Sequence, residues 1–179
     1  MNYLLPLLSV LFGYGIALFV QPKSKKNLKL LLAFSGSFLL SLTVMHLLPE
    51  VYKSENKTIG VFIMVGILFQ IILEFFSKGA EHGHVHGHDK IAKMPWLLFV
   101  SLCLHAFLEG FPVGHHHDLA IGIAIHHLPI AVILTTFFMH AELNRKALFL
   151  FMLAFAIMTP LGTYFSEKVT YLNQYYNEL

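Results

Sequence analysis

The chain has 179 residues, 56% of them hydrophobic and 12% charged, with a mean hydropathy of +0.68. Such a chain is not an ordinary soluble domain; it reads as an all-α polytopic membrane protein whose partner is the lipid bilayer. A net charge of +2 gives no ground for a nucleic-acid partner, and a single cysteine, Cys103, excludes a disulfide framework or a thiolate cluster within one chain.

Apolar runs of spanning length occur at 3–20, 30–48, 59–76, 94–113, 119–139 and 148–165. Each is long enough for a hydrocarbon core of about 30 Å at about 1.5 Å per helical residue. The expectation is one membrane domain, 1–179, with six transmembrane helices. The first run is not expected to be a signal peptide, because nothing basic precedes it and no small-residue cleavage pattern follows.

Basic residues set the expected orientation. Lys23, Lys25, Lys26 and Lys29 follow the first run, Lys78, Lys90 and Lys93 the third, and Arg145 and Lys146 the fifth. The opposite side holds Lys53, Lys57 and Lys168. The richer side belongs in the cytoplasm, which turns both termini outward; the expected location is the plasma membrane.

The second run closes with "HLLPE", which puts His46 and Glu50 four residues apart near the outer surface. They are weaker candidate ligands at an outer mouth, or equally a polar helix end. Glu74 stands near the inner end of the third run. Between the third and fourth runs lies a histidine-rich loop, 77–93, with His82, His84, His86 and His88 in "HGHVHGHD". Imidazoles suit zinc, copper and nickel, so a tract of them on the cytoplasmic side can capture such ions loosely.

The fourth run carries His105 and Glu109, one helical turn apart on one face. Ionisable groups at membrane depth are costly and mark a pathway or a bound ion. On the expected topology His105 lies about 14 Å from the outer side, Glu109 about 8 Å and His126 of the fifth run about 10 Å. A short connection makes these two spans antiparallel neighbours, so three donors from two helices fall near one level. His127 is turned about 100° from His126; it faces a second position or hydrogen-bonds a neighbour. Pro112, Pro129 and Pro160 interrupt the last three runs, as helices bordering a cavity allow. "HHHD", His115–Asp118, forms the outer connection, and His140 sits where it complements a helix C-terminus.

Taken in order, "HAFLEGFPVG", "IAIHHLPIA", "HLLPE", the histidine loop and "TPLG" resemble the Zrt/Irt-like (ZIP) divalent metal transporters over essentially the whole chain. The resemblance implies a ZIP-like helix bundle moving zinc, or a related first-row divalent cation, into the cytoplasm as substrate, with no catalytic cofactor and no enzyme activity. It implies His105, Glu109 and His126 as ligands, with His127 where the family often has an acidic or amide ligand. Ala106, Ile130, Ala131 and Thr159 stand where the family often has polar groups; one metal with three protein ligands plus water is therefore expected. The family has eight helices, so this chain lacks the usual last two, either as a truncated form or as a shortened relative that assembles as an oligomer such as a homodimer. The competing readings are a non-transporting metal-binding relative, an intramembrane metal-dependent hydrolase with Glu109 as its acid or base, and a haem protein with His105 and His126 or His127 as axial ligands.

Overall fold

The structure, a computed structural model, describes residues 3–22, 24–53, 58–77, 96–114 and 117–168. The expected capture histidines His82, His84, His86 and His88 lie outside the described residues, as do His115 and His116.

Among the described residues the chain is helical, with no strand. Helix α1 spans Leu4–Val20, α2 Lys25–Leu42, α3 Leu48–Lys53, α4 Ile59–Ser77, α5 Trp96–Glu109, α6 His117–His140 and α7 Arg145–Lys168. A π turn, Thr43–Leu47, joins α2 to α3, and a 3-10 turn, Phe111–Gly114, follows α5. Among the described residues, five stretches are long and apolar enough to cross a membrane: Lys26–Lys53, Ile59–Phe76, Trp96–Gly114, His117–His140 and Arg145–Lys168. Where six such helices were expected, α1 is apolar but has 17 residues, a length of about 25 Å. The protein is thus an all-α polytopic membrane protein.

Local chemistry sets the breaks. Ser24 starts α2 by accepting the Asn27 N–H at 3.3 Å. Pro49 offers no N–H and crowds the carbonyl one turn back. The backbone widens into the π turn just before it, and the Thr43 hydroxyl donates to the Leu39 carbonyl at 3.0 Å. Pro112 likewise breaks the regular helix at the C-terminal end of α5, which stops at Glu109 and passes into the 3-10 turn. The carbonyls left past that end take donors from α7: Thr163 Oγ1 to Gly110 at 2.7 Å and Ser166 Oγ to Phe111 at 3.0 Å.

The core is built on α6, whose buried residues run from Leu119 to Phe138. It lies along α1 and α2. Gly13 lets α1 approach closely, since a Cβ there would sit 2.7 Å from the Leu128 carbonyl oxygen and 2.8 Å from the Ala131 Cβ. The Ser9 hydroxyl donates to the Ala124 carbonyl across the same contact. Helix α5 packs on α7 and α4. Gly110 and Gly162 make the α5–α7 approach one of backbone on backbone. A Cβ on Gly110 would overlap the Thr159 carbonyl oxygen, and one on Gly162 the Phe107 carbonyl oxygen.

The short connection predicts α5 and α6 as antiparallel neighbours; they meet through side chains, with Glu109 Oε2 2.7 Å from His127 Nε2, while the closer backbone packing of α5 is on α7 and α4 and that of α6 on α1 and α2. A short loop fixes where two helix ends meet and leaves open which flanks touch; the glycine contact captures α5 for α7. Outward-facing side chains such as Phe62, Met64, Leu68 and Phe75 on α4 are apolar and exposed, as a lipid-facing flank requires.

Candidate intramembrane metal centre

His105 and Glu109 sit one turn apart on α5, and His126 projects from α6. One donor atom from each lies within 4.8 Å of the other two, and all three side chains are partly buried. Bonds of about 2.0–2.2 Å to zinc set tetrahedral donors roughly 3.4 Å apart, so small side-chain adjustments close the cluster on one ion. Two imidazoles and a carboxylate suit zinc and its first-row neighbours; calcium and magnesium prefer oxygen.

The Glu109 carboxylate is oriented by both its oxygens. Oε1 is 3.2 Å from His105 Nε2, and Oε2 is 2.7 Å from His127 Nε2. Of the two alternatives for His127, the structure takes the hydrogen bond to a neighbour. The ring is 1% exposed and its centroid lies 5.4 Å from that of Phe155. Its Nδ1 is buried with no hydrogen-bond partner among the described residues. The cluster of three donors is made without His127.

Gln70 was not anticipated. It stands on α4, and its Oε1 lies 3.0 Å from His105 Nδ1. The available signal was a lone amide in an apolar run, which hydropathy averages away.

The other candidates fall elsewhere. His46 and Glu50 are exposed and line a cavity of about 590 Å³ together with Lys53, His117 and Asp118. The end of the α2–α3 rod and the start of α6 thus meet at one mouth, apart from the buried cluster. His140 Nδ1 donates to the Thr136 carbonyl at 2.7 Å, the helix-end role expected of it. Ala106, Ile130, Ala131 and Thr159 are all buried. Ala131 packs on Gly13, so a residue that a polar-lined site would need is here part of the α1–α6 contact.

No family model matches the chain, and no solved structure matches it. Its sequence is similar to zinc transporter ZIP1 of Danio rerio, 26% identical over 110 residues that cover 48% of this chain and 36% of that protein. The chain therefore spans about a third of the length of the relative it matches.

Proposed function

We propose that this chain moves a divalent cation, zinc foremost, across the membrane and into the cytoplasm through His105, Glu109 and His126. One observation carries the reading: three donor atoms of the right types lie within 4.8 Å of one another in apolar helices. Burying such groups without an ion or a pathway is costly and rare. The partial similarity to a zinc transporter supports the same reading.

In this mechanism the cation enters from outside through the cavity lined by His46, Glu50, His117 and Asp118. It sheds water and binds His105, Glu109 and His126 as one ion with three protein ligands. Binding requires neutral imidazoles and an ionised carboxylate, so protons leave as the cation arrives. His127 holds the carboxylate in place. The ion then passes inward toward the histidines of loop 77–93. Glu109 is engaged on both oxygens, which leaves it poorly placed as the general base a hydrolase needs.

The test is zinc accumulation in proteoliposomes containing the 179-residue chain. Wild type is expected to accumulate zinc, and His105→Ala or Glu109→Ala to abolish it. Unchanged uptake by both variants sinks the site assignment. Zinc bound in equilibrium dialysis with no uptake by wild type selects instead a metal-binding relative that does not transport.

A further inference from the structure

We infer that Gln70 is a positioning residue for His105: it holds the Nδ1 proton of the imidazole and so presents Nε2 to the cation. The nature of the cation rests on the function proposed above; the hydrogen bond does not.

Gln70 is the sole polar side chain in α4 between Ile59 and Leu73. It lies about 16 Å along the helix from Ile59 at 1.5 Å per residue, near the middle of a spanning helix. An amide at that depth needs a hydrogen-bond partner. Its Oε1 has one in His105 Nδ1 at 3.0 Å.

The chemistry of the pair then fixes the ring. A carboxamide oxygen accepts and cannot donate, so the proton sits on Nδ1. Nε2, 3.2 Å from Glu109 Oε1 and facing the cluster, is then the nitrogen that gives up its proton to a cation, while Nδ1 keeps its own. A ligating histidine that donates its other N–H to an oxygen is locked in tautomer and ring plane, and its donor nitrogen becomes more basic. The support extends one turn further in. Ser101, four residues before His105, donates from Oγ to the carbonyl of Leu73, three residues past Gln70, at 2.6 Å. That bond pins the register of α4 on α5, so Gln70 meets His105 through two tied helices and not by chance rotamer.

Two substitutions test this. Gln70→Leu removes the acceptor in a stretch, Ile59–Leu73, whose other side chains are apolar, and Gln70→Glu keeps it. Metal-free protein labelled with ¹⁵N-histidine in micelles reports the tautomer, with His105→Ala identifying the His105 signals. Wild type and Gln70→Glu are expected to carry the proton on Nδ1, and Gln70→Leu to lose that preference. Zinc affinity by equilibrium dialysis is expected to fall about 10–100-fold in Gln70→Leu and to stay near wild type in Gln70→Glu. An unprotonated Nδ1 in wild type, or wild-type tautomer and affinity in Gln70→Leu, overturns the inference. Zinc binding insensitive to His105→Ala, with the tautomer still lost in Gln70→Leu, sinks the proposed cation site and leaves Gln70 as the group that holds the ring.

Discussion

Glu109 and His127 are joined by a 2.7 Å hydrogen bond from Nε2 to Oε2, on a ring that is 1% exposed and packed against Phe155. The bond turns the carboxylate so that Oε1 faces His105. Supporting groups of this kind govern metal affinity almost as strongly as ligands do. His127→Ala is expected to weaken zinc binding about 10–100-fold, and His127→Gln, which can still donate, to weaken it less. Calorimetric titration of the purified protein checks the order. Equal affinities would mean that the carboxylate needs no such support.

Acid should oppose binding. Each imidazole ligand has to be deprotonated to hold the cation, so binding releases protons and becomes tighter as pH rises. Zinc affinity is therefore expected to fall as the medium is made more acid. Dialysis at several pH values measures the slope, and a pH-independent affinity across the acid range would rule out histidine ligation.

The α5–α7 contact should tolerate no side chain. Gly162→Ala would drive a methyl group into the Phe107 carbonyl oxygen, and Gly110→Ala one into the Thr159 carbonyl oxygen. Neither obstacle is a flexible side-chain end, so the helices have to part. Overpacking of this kind costs about 1–3 kcal/mol, read as lowered thermal stability in detergent. Gly66→Ala, where nothing lies within 4 Å of the added atom, is the matched control and should leave stability unchanged.

The cavity beside His46 and Glu50 predicts a different kinetic signature. His46, Glu50, His117 and Asp118 line its wall and are not among the buried cluster. Glu50→Gln with His117→Ala is expected to raise the zinc concentration for half-maximal uptake several-fold, by roughly the loss of weak surface attraction, while the maximal rate holds. A collapse of the maximal rate instead would place these side chains on the obligatory path.

The spanning helices were legible because the bilayer demands unbroken apolar runs, and 59–76 and 119–139 fall within Ile59–Ser77 and His117–His140. The grouping of His105, Glu109 and His126 was legible from depth, since rise per residue and topology together set a level. The neighbours of each helix were not. α5 rests on α7 through Gly110 and Gly162, and a glycine in a sequence does not say which backbone comes to meet it. Gln70 was missed for a related reason: its meaning lies in the atom opposite, His105 Nδ1, on a different helix. The π turn over His46 is likewise a response to Pro49 that periodicity alone does not encode.

The backbone contact at Gly110 and Gly162 has a mechanical consequence. It makes α5 and α7 a single strut, and that strut carries His105 and Glu109, whereas His126 rides on α6. Helix α1 packs on both α6 and α7, so the strut and α6 share a neighbour and one core. A cation that binds all three donors therefore cross-links α5 to α6, and its binding free energy opposes any motion that separates them.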